Sequence, residues 1–216
     1  MAKNRRYSSI RENQKARGRA VWWSAQLPWG QLMRNGAIAA GAVGLAALLI
    51  FEVRSAGSQS SGPAPENLIS REAPDFTLPT LDDEQVTLSD FRGEKNVLLF
   101  FNEGYGCAPC WQQAVTLQEN LDKFAALGTE VFAVMVDPPD LLDQEAARWD
   151  LTLPILADSD TRVSQAYDAL GGMHADKPNH MFVLVDKTGV VRWSRDYPSM
   201  QADNQSVLQQ VQTWGG

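Results

Sequence analysis

Five consecutive apolar residues, Val97-Leu98-Leu99-Phe100-Phe101, run into a glycine-punctuated loop and then into Cys107-Ala108-Pro109-Cys110. An apolar run without alternation fits a strand buried on both faces, which requires a parallel or mixed sheet covered on two sides. The loop that follows, Asn102-Glu103-Gly104-Tyr105-Gly106, contains two glycines. Pro109 then falls where the first turn of a helix tolerates proline best. From Trp111 onward, Val115, Leu117, Leu121, Phe124 and Leu127 recur at near-helical spacing and Gly128 supplies a stop, so the pattern predicts one helix over 111–127. The two cysteines therefore sit at the carboxyl end of a strand and on the first turn of a helix. Open α/β sheets place ligands and chemistry at that junction.

The chain has no other cysteine. Unpaired amides and the positive dipole end at a helix start stabilise a thiolate, lowering a thiol pKa from about 8.5 into a range of roughly 3.5–7.5. A second thiol three residues on can close or open a disulfide by exchange, which makes the pair a two-electron redox couple. A static bridge closing so short a loop would stabilise little. A structural zinc site needs four ligands, and this sequence offers no second cysteine pair and only His174 and His180. Redox chemistry is the reading that uses both residues and their position.

The remainder alternates strands with helices. Residues 130–136 and 154–158 read as further buried strands, and 140–149, 160–170 and 203–214 as helices, with Asp158 to Asp160 as a cap region for the second of these. A hairpin is predicted from 181–186 and 190–195 around Lys187-Thr188-Gly189. Together these elements give an α/β sandwich over about 71–216. Glu103, in the loop before the cysteines, is a candidate proton acceptor for a buried thiol or else a solvated loop acid. Trp111 reads as packing, and His174, in the Gly171-Gly172 loop, as exposed.

Several segments resemble the thioredoxin superfamily, in its redoxin branch of peroxiredoxins and membrane-tethered thiol-disulfide oxidoreductases. They are Ala73-Pro74-Asp75-Phe76-Thr77-Leu78, Val86 to Gly93, the C-x-x-C junction, and Val183 to Val191. The resemblance covers about 71–200 and implies a thioredoxin-like sandwich. Laying the peroxiredoxin pattern P-x-x-x-T-x-x-C onto Cys110 puts Glu103 at the proline and Cys107 at the threonine. Those departures favour an exchanger over a peroxidase. Where exchangers carry a cis-proline facing the disulfide, counting back from Asp186 places His180, with Pro178 two residues earlier. The resemblance thus implies that His180 faces the redox pair and, as an imidazolium, supports a Cys107 thiolate.

Charge divides the chain. Residues 1–34 hold eight Lys or Arg against Glu12 alone, whereas from Ser55 onward there are 10 basic and 24 acidic residues. Between them, 35–51 is a run of 17 uncharged residues. At about 1.5 Å per residue it reaches roughly 25 Å, close to a bilayer core of about 30 Å when Arg34 and Glu52 snorkel. The pattern predicts a basic cytoplasmic tail (1–34), a single transmembrane helix (35–53), a Ser/Gly/Pro tether (54–70) and an extracytoplasmic domain (71–216). Cleavage near the small residues Ala56-Gly57-Ser58 is the rival expectation.

The expected activity is thiol–disulfide exchange with protein thiols or disulfides, Cys107 attacking and Cys110 resolving, in concert with an electron-donor thiol protein. The alternatives are a thiol peroxidase with Cys110 peroxidatic and Cys107 resolving, and a copper-handling module using Cys107, Cys110 and His180. The exchange reading needs no cofactor or resident metal. The partners expected are thiol proteins and, through the anchor, membrane lipid, with no feature that asks for nucleic acid.

Overall fold

The computed structural model describes residues 68–171 and 174–214. The apolar run forms β3 (Asn96–Phe101), with every residue buried. It is the middle strand of a five-stranded mixed sheet of order β5-β4-β3-β6-β7. β4 (Thr129–Met135) pairs parallel to β3, and β5 (Ile155–Ala157) pairs parallel to β4. On the other side β6 (Met181–Val185) runs antiparallel to β3, and β7 (Val191–Asp196) runs antiparallel to β6. A separate antiparallel pair, β1 (Thr77–Pro79) and β2 (Gln85–Thr87), precedes them, followed by a 3-10 turn over Leu88–Phe91.

The sheet is covered on both faces, as its unalternating strands require. Leu98 and Phe100 point into one core with Trp111, Ala114 and Leu117 of α1 (Ala108–Gln118), and with Val207, Leu208 and Val211 of α5 (Asn204–Trp214). Leu142 and Ala146 of α3 (Pro139–Arg148) complete that layer. Val97, Leu99 and Phe101 point the other way, into a core with Leu78, Val86, Phe91, Val163 and Tyr167. Phe100 and Phe101 are both fully buried, and truncating a residue of that kind to alanine costs about 3–5 kcal/mol.

Two predicted helices are shorter than the pattern implied. The helix expected over 111–127 is broken into α1 and α2 (Leu121–Ala126). At the break Asn120 turns its side chain back, donating from Nδ2 to the Thr116 carbonyl (2.8 Å), while its own carbonyl accepts from Lys123 N. An Asn amide competing with the backbone favours such a stop over continuation, although the apolar spacing runs on across it. The helix expected over 160–170 shrinks to α4 (Arg162–Ala166). Thr161 and Asp168 flank it in left-handed conformations. Its start is held by buried Asp158, which accepts from Val163 N (3.1 Å), Ser164 N (2.7 Å) and Ser164 Oγ (2.7 Å). The expected cap region therefore does cap, by reaching five and six residues ahead.

Among the described residues no helix is long and apolar enough to cross a membrane. The predicted span over 35–53, the basic tail and residues 54–67 of the tether lie outside the described residues.

Candidate active site

Three strand ends meet at one edge of the sheet. β3 and β4 are parallel, so their carboxyl ends lie side by side, and antiparallel β6 brings its amino end to the same place. The loop leaving β3 is turned sharply. Asn102, fully buried, accepts from Gly104 N (3.0 Å) through Oδ1 and donates from Nδ2 to the Phe100 carbonyl (3.3 Å). Gly104 has φ +71, which favours glycine, and a Cβ added there would have to push aside Asp137 Oδ2. The Gly104 carbonyl then accepts from Cys107 N (3.2 Å) and from the Trp111 indole (3.0 Å). Trp111 packs, as expected, and also ties α1 to the loop.

Cys107 is the N-cap of α1, and its sulfur accepts from Cys110 N at 3.3 Å. The two cysteines form a disulfide with their Cα atoms 5.3 Å apart. Cys107 retains 6% exposure and Cys110 none. The expected order of accessibility holds by a narrow margin. The first turn presents an amide to the sulfur of Cys107, which is the arrangement that stabilises a thiolate once the bridge opens.

Glu103 is a buried acid rather than a solvated one, with its carboxylate 2.9 Å from His174 Nδ1. His174, read from sequence as simply exposed, is a half-exposed partner of that carboxylate. Below it Lys177 donates to the carbonyls of Glu103 and Tyr105 (both 3.0 Å) and to Asp137 Oδ1 (3.0 Å) and Oδ2 (3.3 Å). Asp137 Oδ2 also accepts from Tyr105 N (2.8 Å). Sequence reasoning missed Asp137, His174 and Lys177 as site residues. Asp137 alone carried a signal, standing just past the carboxyl end of a predicted strand.

His180 precedes β6, one step beyond the Phe101–Met181 pair. Its ring is 1% exposed and packs against Phe100 (centroids 4.7 Å), Phe182 (6.0 Å) and Tyr197 (6.5 Å). Neither ring nitrogen has a hydrogen-bond partner among the described residues. Burial lowers its pKa from 6.5 to about 4, so the ring is neutral at pH 7. The imidazolium expected from sequence does not exist in this environment, because no acceptor offsets the cost of desolvating the charge. Among the described residues no three His, Cys, Asp or Glu side chains converge as a metal-ligand set. Cys107, Cys110 and His180 are thus not gathered as the copper site expected as an alternative.

A closed C-x-x-C bridge heading a helix at the carboxyl edge of a covered α/β sheet defines a thiol-based oxidoreductase. The chain belongs to the AhpC/TSA family, whose model matches residues 69–194. It is 32% identical over 124 residues to peroxiredoxin Bcp of Escherichia coli (strain K12), an alignment covering 55% of this chain and 79% of that protein. It is 34% identical over 121 residues to the thiol-disulfide oxidoreductase ResA of Geobacillus kaustophilus (strain HTA426), covering 56% of this chain and 64% of ResA. The crystal structure of peroxidoxin BcpB from Mycobacterium tuberculosis superposes with TM-score 0.60 at 19% identity, over 68% of this chain and 97% of that one. The solved structure confirms the thioredoxin-like fold expected from sequence.

Proposed function

We propose that this oxidoreductase is an exchanger of thiols and disulfides with protein partners, anchored by its N-terminal segment and facing the extracytoplasmic space. The observation that supports exchange most strongly is the Cys107–Cys110 bridge itself, with its inner sulfur wholly buried. In the reduced enzyme the Cys107 thiolate attacks a partner disulfide, forming a mixed disulfide and expelling one partner thiolate. Cys110, deprotonated, then attacks the Cys107 sulfur, restoring the intramolecular bridge and releasing the second partner thiolate. Two electrons pass to the partner, and the reverse sequence oxidises a partner dithiol. Glu103, paired with His174, is a candidate for taking up the proton that Cys110 sheds.

Similarity to ResA, named a thiol-disulfide oxidoreductase, supports this reading. The similarity to peroxiredoxin Bcp supports a second one, in which the Cys110 thiolate takes an oxygen from a peroxide, releasing water or an alcohol and leaving a sulfenic acid that condenses with Cys107 to release water. A cysteine at the position where the peroxiredoxin pattern carries threonine weighs against it. The deciding experiment substitutes each cysteine. Cys110→Ser should accumulate mixed disulfides with partner proteins while Cys107→Ser forms none. Peroxide consumption that survives in Cys107→Ser and vanishes only in Cys110→Ser would install the peroxidase instead.

The anchor rests on the basic tail and the uncharged run at 35–51. A protease outside intact cells should then reach the acidic domain and spare the tail, whereas a mature chain starting near Gln59 would show cleavage.

A further inference from the structure

We propose that Lys177, with Asp137, is the positioning device of the redox loop: one ammonium ties the carboxyl ends of β3 and β4 to the segment entering β6 and thereby holds Cys107 at the head of α1. The inference rests on the reading of Cys107 as the attacking thiol.

Four acceptor contacts converge on Lys177 Nζ: the carbonyls of Glu103 and Tyr105, and both carboxylate oxygens of Asp137. They come from two loops about 40 and 70 residues away in sequence. An ammonium is a compact cation with three donors and no preferred plane, suited to two carbonyls and a carboxylate arranged around a point. The Tyr105 peptide is gripped at both ends of the residue, its N–H by Asp137 Oδ2 (2.8 Å) and its carbonyl by Lys177 (3.0 Å). Gly104 lies against the same carboxylate so closely that a Cβ there would displace Asp137 Oδ2. Both charged side chains are largely withdrawn from water, Lys177 at 22% and Asp137 at 11% exposure. A charge-assisted contact of that kind is stronger than an exposed surface pair.

The held residues end two positions before Cys107, and the Gly104 carbonyl receives the Cys107 amide (3.2 Å) and the Trp111 indole (3.0 Å). The clamp therefore fixes the path of the chain into the N-cap. That path sets whether the Cys107 sulfur meets the Cys110 amide, now 3.3 Å away. With the clamp gone, the loop gains conformations in which the sulfur leaves that amide, and a Cys107 thiolate loses part of its stabilisation. Glu103, Tyr105, His174 and Asp176 are the other titratable groups on this loop assembly, and all four remain in every variant below.

The test is made on the full chain carrying Cys110→Ser, so that a single thiol reports. The probe is a nitrobenzoate disulfide reagent. The Cys107 thiolate forms a new S–S bond with one half, and the other half leaves as a coloured thiolate. Lys177→Met should slow the reaction at pH 7 by roughly three- to five-fold, the size of a partial loss of helix-terminus stabilisation, and raise the thiol's apparent pKa accordingly. At pH 9.5, where the thiol ionises regardless, the rate should return to within about two-fold. Lys177→Arg keeps the charge but replaces the compact donor with a planar fork, and should behave like Lys177→Met. If Lys177→Arg matches the parent, charge alone acts and positioning is wrong. If the pH–rate profiles of Lys177→Met and parent coincide, the clamp has no influence on Cys107. Should Lys177→Met fail to fold, isosteric Asp137→Asn decides by the same profile, because it keeps an acceptor for Tyr105 N while removing the ion pair. A parent that does not react at all through Cys107 would instead refute the exchange reading.

Discussion

Acidification should unfold this protein earlier than its carboxylates alone predict, because His180 is buried without a partner. Its folded pKa, about 4, lies below the ordinary 6.5 of an unfolded chain. Between these values the unfolded state binds the proton and the folded state does not, so stability is fully present above pH 6.5 and is lost as pH falls toward 4. The shift of about 2.5 units corresponds to roughly 3 kcal/mol in total, of which about 2 kcal/mol is gone by pH 5. Asp186 does not contribute in that window. Burial raises its pKa, but hydrogen bonds from Thr188, Val190 and Arg192 outweigh this and hold it at about 2. Asp196 is raised by burial and acts with the opposite sign, favouring the folded state as pH falls. The perturbation is His180→Phe, which puts an apolar ring among Phe100, Phe182 and Tyr197 and leaves no orphaned nitrogen. Replacing an unpartnered buried polar group in this way should be neutral, or stabilising by up to about 1 kcal/mol, at pH 7.5. Urea unfolding followed by tryptophan fluorescence at pH 7.5 and pH 5 gives the difference for each protein. Wild type should lose about 2 kcal/mol more than His180→Phe between the two. His174→Gln, altering the chain's other histidine, controls for that residue. Equal losses in wild type and His180→Phe would refute the reasoning.

Gly104→Ala should be among the most damaging single-methyl changes in the chain, costing about 2–4 kcal/mol through left-handed strain and overlap with Asp137 Oδ2, and should slow exchange as well; a thermal melt within two degrees of wild type would contradict it. Asp186→Ala removes the acceptor for Thr188 N, Thr188 Oγ1, Val190 N and Arg192 Nε. It should cost about 2 kcal/mol in urea at pH 7 and loosen the β6–β7 turn, as seen by faster amide exchange at Val190. Asn120→Ala removes the side chain that turns back on Thr116 and should raise helix content slightly without loss of activity, readable by far-ultraviolet circular dichroism.

The parts of this molecule legible in the sequence are those whose cause is local. A strand with both faces covered must be apolar throughout, and Val97 to Phe101 already reads as a doubly buried strand of a parallel or mixed sheet. The C-x-x-C junction likewise needed only the residues on either side of it. Asn120 shows where local pattern misleads, since Leu121, Phe124 and Leu127 continue the apolar spacing while one amide stops the helix. Tertiary contacts carry the rest. Lys177 meets Asp137 from 40 residues away, and His174 meets Glu103 from 71 residues away. No spacing rule links such pairs. His180 does stand just ahead of β6, yet its protonation state depends on Phe100, Phe182 and Tyr197 around it, which only the packed core reveals.

In the proposed mechanism Cys107 and Cys110 exchange electrons with protein disulfides as their main chemistry. Its most direct measurement is a single-turnover comparison in which the reduced protein is mixed, at neutral pH, with a disulfide-bonded protein substrate or with hydrogen peroxide at equal concentration. Stopped-flow tryptophan fluorescence follows closure of the bridge beside Trp111. The disulfide substrate should close it at least about tenfold faster than peroxide does, through an intermediate that acid quenching traps as a mixed disulfide on Cys107. Faster closure by peroxide, with a sulfenic acid trapped on Cys110, would contradict the mechanism.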